Sequence, residues 1–251
     1  MKPVLEVRNL SVDFSGKGKE TFAAVKNISF SLYPGEVLGI VGESGSGKST
    51  VARSAARLIP SSGGRILVDG QDITELKGAQ LKEIYKKLQM VFQFPAASFD
   101  PRRTLGWSIE EILKNMDAAK EAGLKAKRLL SLCGLSEDFA RRYPHQVSGG
   151  QCQRAAIARA LAVDPKILIC DEATSALDVT IQEQIIALLK SLKESRGLSM
   201  IFICHNLALV QDFCDRVLVM DRGAVVEEGT PDEIIFYPKT EYTRQLAASV
   251  L

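Results

Sequence analysis

The sequence predicts an α/β fold: a mostly parallel central sheet, an N-terminal antiparallel β subdomain and a helical insert. Three observations carry that expectation. Apolar runs, VLGIVG (Val37–Gly42), ILIC within KILICDEA (Lys166–Ala173) and MIFIC within SMIFICH (Ser199–His205), are separated by helical stretches; strands buried on both faces between helices form parallel sheets. The first 40 residues instead alternate apolar and polar positions between turn residues, as antiparallel strands do. From Pro95 to about Pro165 strand patterning gives way to helical periodicity, which marks an insert.

In chain order, VLEVRNLSVDF alternates, SGKGKET is a Gly/Lys turn, AVKNISFSLY alternates again and PGE closes the pair. VLGIVG runs into a glycine-rich loop and then a helix, STVARSAARLI, which Pro60 to Gly64 break. RILVDGQDI returns to strand, and LQMVFQ (Leu88–Gln93) is a further apolar strand. The insert, about 95–165, contains WSIEEILKNMDAAKEAGLKAKRLLSLCGL. TIQEQIIALLKSLKESRG reads as a helix with Gly197 at its C-cap, where glycine tolerates left-handed backbone. RVLVMDRG is the last buried strand, and residues 231–251 form a short tail. No internal repeat is visible, so residues 1–251 are expected to form one domain.

Composition narrows the function. A net charge of +2 and 25% charged residues give no basic field for nucleic acid. MKPVLEVRNLSVDF holds no apolar run of the roughly 7–15 residues that a signal peptide needs. No stretch reaches the ~18 apolar residues of a membrane span, so work at a membrane would go through a partner. Cys133, Cys152, Cys170, Cys204 and Cys214 form no C-x-x-C pair. Buried free thiols in a reducing cytoplasm are the expectation.

Gly42-Glu43-Ser44-Gly45-Ser46-Gly47-Lys48-Ser49 matches G-x-x-x-x-G-K-[ST], with Thr50 following. It lies between an apolar strand and a helix, the setting in which backbone N–H groups curl around phosphate oxygens. Lys48 would reach the terminal phosphates of a nucleotide and Ser49 would offer a hydroxyl to Mg²⁺. ILICDEATSALD (Ile167–Asp178) ends a buried strand in two carboxylates, at the sheet end where ligands bind. Side chains alternate along a strand, so Asp171 would hold Mg²⁺ through water while Glu172 deprotonates a water aimed at the γ-phosphate. A helix N-terminal acidic pair is the bland alternative. His205 and Gln93 end their strands. His205 could bond a phosphate oxygen or the attacking water; Gln93 could bind metal or water and couple nucleotide state to the insert. Structural roles compete for both, and His145 reads as surface or interface. VSGGQCQRAAIARALA (Val147–Ala162) opens a second anion-ready helix start. Ser148 would cap it, or the stretch would bind phosphate belonging to another copy's nucleotide; physics alone leaves both open.

Together these residues resemble the ATP-binding cassette family over essentially the whole chain. GESGSGKST is similar to its Walker A loop, ILICDE to its Walker B strand and VSGGQ to its signature, with Val147 in place of the usual Leu. SALD (Ser175–Asp178) resembles the D-loop, Gln93 the Q-loop and His205 the H-loop. The resemblance implies a head-to-tail dimer, each ATP held by Lys48 of one chain and Ser148, Gly149, Gly150 and Gln151 of the other. It also implies an aromatic stacked on adenine: Phe14 fits best, Phe22 is the rival, and core packing competes for both. VFQFPAASFDPR, CDEATSALDVTIQ and the tail are similar to the ATPases of oligopeptide, dipeptide and nickel importers. Many of those continue into a longer C-terminal extension, and no role of such an extension is expected for residues 1–251.

The expected function is therefore an Mg-ATP-hydrolysing subunit of an importer. Its expected partners are a second ATPase chain, identical or sibling, transmembrane permease subunits near Gln93 and Phe94–Arg103, and indirectly a solute-binding protein. Its expected place is the cytoplasmic face of the membrane. A soluble ATPase of this family, such as one attached to a carbon–phosphorus lyase complex, is the alternative.

Overall fold

The computed structural model describes residues 1–15, 21–115, 121–175 and 177–248. The SGKGKET turn therefore lies largely outside the described residues, as do Ala176 and the last three positions.

Strands β1 (Leu5–Phe14) and β2 (Phe22–Leu32) pair antiparallel, with Leu5 opposite Leu32 and Phe14 opposite Phe22. With β4 (Gly63–Val68) and β5 (Gln71–Asp72) they make a four-stranded sheet in the order β2-β1-β4-β5. Alternation buries Leu5, Val7, Leu10 and Val12 on one face.

The second sheet has six strands in the order β10-β9-β3-β8-β7-β6. These are β3 (Val37–Val41), β6 (Leu88–Val91), β7 (Ile167–Asp171), β8 (Ser199–Ile203), β9 (Arg216–Asp221) and β10 (Ala224–Gly229). All neighbours are parallel except β10, which pairs antiparallel with β9 at the edge. Every residue of β3, β7 and β8 is buried because each face supports its own core. Leu38, Ile40, Ile167, Ile169, Ile201 and Ile203 face the first, shared with β1, β2 and β4. Val37, Val41, Leu168, Cys170, Met200 and Phe202 face the second, shared with the helices that follow.

Helix α1 (Lys48–Ala55) follows β3 directly. It stops before the expected Ile59: Leu58 N–H bonds Arg53 O at 2.8 Å and Arg57 turns left-handed at φ 58°, an αL termination. Helix α2 (Gly78–Lys87) buries only Ile84, so its polar sequence offered no periodic signal and it was not expected. β6 ends at Val91 and β8 at Ile203. Gln93 and His205 thus sit just past the strands rather than at their ends. A 3-10 turn starting at Pro95 and the Asn206 cap of α7 (Leu207–Phe213) divert the chain there.

Between β6 and β7 the described residues contain no strand. They form α3 (Leu105–Asn115), α4 (Ala122–Leu132) and α5 (Gly149–Ala160), joined by 3-10 turns. α6 (Val179–Arg196) ends at Gly197, φ 61°, matching the expected C-cap. α8 (Pro231–Phe236) and α9 (Glu241–Ala248) are the last described elements.

Candidate nucleotide site

The Gly42–Thr50 loop joins β3 to α1 at the carboxyl end of the parallel sheet. Glycine is required within it: Gly47 has φ 102°, and a Cβ there would lie 2.6 Å from Ala24 O. That contact also places β2 against the loop. Glu43, Ser44 and Gly45 are exposed at its crown, while Ser46 and Lys48 are buried beneath. The Lys48 ammonium folds back inside, donating to Gly42 O at 2.8 Å and Glu43 O at 2.7 Å. Burial pushes its pKa down, against the pull of Glu172 and Asp171.

β7 brings Asp171 to the foot of α1. Its fully buried carboxylate accepts the Ser49 hydroxyl at 2.6 Å and lies 3.4 Å from the Arg53 guanidinium. Burial pushes the Asp171 carboxyl up; the Ser49 bond and Arg53 oppose this, and the Glu172 charge adds to it. Burial thus works against the charged form of both groups, against the pull of Glu172 and Asp171 on Lys48 and of Ser49 and Arg53 on Asp171. Among the described residues no group of three His, Cys, Asp or Glu could hold a metal. Ser49, Asp171 and the nearby Gln93 offer hard oxygens that suit an ion retaining much of its water, which is the chemistry of Mg²⁺.

Glu172 follows in left-handed backbone, φ 48°, so β7 ends abruptly and the two carboxylates diverge. Its Oε2 accepts the Gln93 amide at 2.6 Å. Gln93 also donates to Ser175 Oγ at 3.3 Å, and Ser175 donates to Glu172 O at 3.0 Å. The structure thereby gathers Lys48, Ser49, Asp171, Glu172 and Gln93 at the ends of β3, β6 and β7. His205 is exposed just beyond β8, and no hydrogen bond joins its ring to Glu172 or Lys48 among the described residues. Phe14 and Phe22 are cross-strand partners, 48% and 64% exposed. Neither is core packing, and both lie at the end of the hairpin that touches the loop through Ala24.

At α5, Ser148 Oγ accepts from Gln151 N at 3.3 Å and Gln151 Oε1 accepts from Ser148 N at 3.0 Å. This reciprocal capping box satisfies Gln151 N–H, while helix geometry leaves the Gly149 and Gly150 N–H groups without intrahelical acceptors. Gly150 is also sterically required, since a Cβ would meet Ile181 Cγ2 at 2.5 Å. No hydrogen bond links Ser148–Gln151 to the phosphate loop of the same chain among the described residues. Asp178 is exposed and accepts from Ile181 N at 3.0 Å, capping α6.

Three contacts escaped the sequence reading. Arg53 lies one helical turn beyond Ser49, so i, i+4 spacing could have placed it beside Asp171. Ser175 lay inside the inspected SALD motif without a role of its own. Tyr242, whose hydroxyl accepts from Glu43 N at 2.9 Å, bridges positions too distant for any local signal.

The ABC transporter family model matches residues 25–175. The chain is 46% identical over 258 residues to the oligopeptide transport ATP-binding protein OppF of Haemophilus influenzae, covering 98% of this chain and 78% of that one. It is 46% identical over 257 residues to the glutathione import ATP-binding protein GsiA of Pectobacterium atrosepticum, covering 99% of this chain and 41% of GsiA. Among solved structures, the cassette MJ0796, a dimer in a post-hydrolysis state bound to ADP and Pi, superposes with a TM-score of 0.80 at 31% identity, covering 90% of this chain and 98% of that one. CbiO1 from Clostridium perfringens, part of the transporter complex cbiONQ, superposes with a TM-score of 0.80 at 29% identity, covering 93% and 91%. With this fold, this loop and these relatives, the chain belongs to the ABC transporter family as an ATP-binding subunit.

Proposed function

We propose that this chain hydrolyses ATP to power an importer of small peptides, and that each nucleotide is shared between two ATPase chains. The observation that carries the reading is the Ser49–Asp171–Glu172–Gln93 constellation, which joins the phosphate loop to two diverging carboxylates. Gly45 to Thr50 would wrap the phosphates with backbone N–H groups, with Glu43 and Ser44 shaping the entry. Lys48 would exchange Gly42 O and Glu43 O for the terminal phosphate oxygens. Ser49, Asp171 and Gln93 would hold Mg²⁺. When bound, the ion neutralises charge on the phosphate oxygens and orients them.

Glu172 would take a proton from the attacking water. Gln93 now occupies Glu172 Oε2 and must turn aside for that water, which links hydrolysis to the start of the helical insert. His205 would steady the γ-phosphate or the water. Phe14, with Phe22 beside it, would stack on adenine. The Gly149 and Gly150 amides, with Ser148, Gln151 and Asp178, would complete the site of a second chain, whose identity as a copy or a sibling the dimer assay below reads out. Among the described residues no helix is long and apolar enough to cross a membrane; the transport relatives support attachment at the cytoplasmic face through permease subunits docked near Gln93 and Phe94–Arg103. A solute-binding protein would act indirectly.

The names OppF and GsiA favour peptide import over the soluble-complex alternative and over nickel. Glu172→Gln tests the assignment. We expect MgATP binding to persist, turnover to fall by about 10²–10⁴-fold and a nucleotide-dependent dimer to accumulate on gel filtration. Surviving turnover would remove Glu172 as the base.

A further inference from the structure

The tail reaches the phosphate loop. α9 is fastened to the sheet edge by Glu227 of β10, a buried carboxylate that accepts from Lys239 N at 2.9 Å and Thr240 N at 3.0 Å. Burial pushes the Glu227 carboxyl up, but bonds from Thr243, Lys239 and Thr240 outweigh it and leave the group below the usual carboxylate range. Thr243, fully buried, and Ala247 seat the helix on the core. From this anchored helix Tyr242, its ring packed at the core margin, projects its hydroxyl to Glu43 N at 2.9 Å. Beside this contact lies a cavity of about 260 Å³ lined by Tyr242 and Gln245 of the tail and by Glu43, Ser44, Gly45 and Ser46 of the loop.

Glu43 is held on both sides of its backbone. Its N–H goes to Tyr242, and its C=O accepts Lys48 Nζ at 2.7 Å and Ser46 N at 3.2 Å. Lys48 must leave that carbonyl to reach a phosphate. The Tyr242 bond is the hold on Glu43 that comes from outside the loop and does not depend on where Lys48 points.

We propose that Tyr242 is a positioning residue: α9 is a strap whose hydroxyl keeps the first turn of the phosphate loop in its nucleotide-binding shape. The inference rests on reading Gly42–Thr50 as the nucleotide loop. A preordered loop spends less of its binding free energy on ordering, so the strap acts on nucleotide affinity and leaves the chemical step alone. The tail thereby becomes a handle through which anything that lifts α9 weakens ATP binding.

The test is Tyr242→Phe in the full chain, which keeps the ring packing and removes the hydroxyl. MgATP affinity is measured by calorimetry, with KM and kcat from phosphate release. Losing one net hydrogen bond to the loop predicts a Kd and KM raised about three- to tenfold, kcat changed by less than about twofold and a melting temperature lowered by no more than about 4 °C. Glu227→Gln, which loosens the other end of the strap, is expected to raise KM in the same direction. An unchanged KM in Tyr242→Phe, or a fall in kcat without a KM change, would overturn the strap alone. A wild-type chain that takes up no MgATP would overturn the reading of the loop and the strap with it.

Discussion

Glu172 sits in backbone that L-residues rarely adopt, at φ 48°, and such strain persists only where surrounding bonds hold it. Its N–H reaches Ile203 O at 3.1 Å, and its C=O accepts both the N–H and the hydroxyl of Ser175. Ser175→Ala removes the hydroxyl bond, so we expect about 1 kcal/mol of lost stability, read as a lower denaturant midpoint, together with slower turnover. The cysteines offer a second test. Burial pushes Cys133 and Cys170 up to about 12 and Cys152 to about 11, so at pH 8 almost none of these thiols is ionised. Alkylating reagents should label them only after denaturation. A raised thiol pKa stabilises the fold fully below the unfolded value near 9 and loses that contribution as pH rises through the folded values; the denaturant midpoint should decline on the alkaline side. Lys48, Ser49, Asp171 and Glu172 were readable as motifs because their chemistry demands fixed local spacing. Tyr242 was not, because its contact with Glu43 spans 199 positions and only the fold brings them together.

At the scale of elements, the sequence of α5 suggested two alternatives, a structural cap and a phosphate site. The Ser148–Gln151 capping box is a structural cap, and the same helix start leaves the Gly149 and Gly150 N–H groups without intrahelical acceptors, with Gly149 exposed and Gly150 buried. The cap leaves room for the proposed phosphate contact at the same helix start. Ser148→Ala should cost about 1 kcal/mol of stability yet still admit a phosphate. Ser148→Arg should leave MgATP binding to the isolated chain intact and abolish the dimer that Glu172→Gln accumulates, as read by gel filtration. Loss of nucleotide binding in that variant would mean that α5 serves its own chain's site. The strands β3, β7 and β8 were plain in the sequence because burial on both faces forces continuous apolar runs. α2 was hidden because it buries one side chain, and β5 because it has only two residues. Strand ends at Gln93 and His205 were misplaced because turn chemistry, from Pro95 and Asn206, overrides apolar continuity.

At the scale of the whole molecule, the six-stranded sheet separates two cores and presents Lys48, Ser49, Asp171, Glu172 and Gln93 at the carboxyl ends of its parallel strands. Ser148–Gln151 lies apart from them and has no hydrogen bond to the phosphate loop of its own chain among the described residues. The account therefore requires each reaction centre to be assembled from two chains. The direct measurement is phosphate release per chain as the purified subunit is diluted at saturating MgATP. The account predicts that specific activity falls in proportion to concentration once pairs dissociate, and that it recovers on reconcentration. A specific activity that stays constant down to concentrations where sedimentation finds only single chains would contradict it.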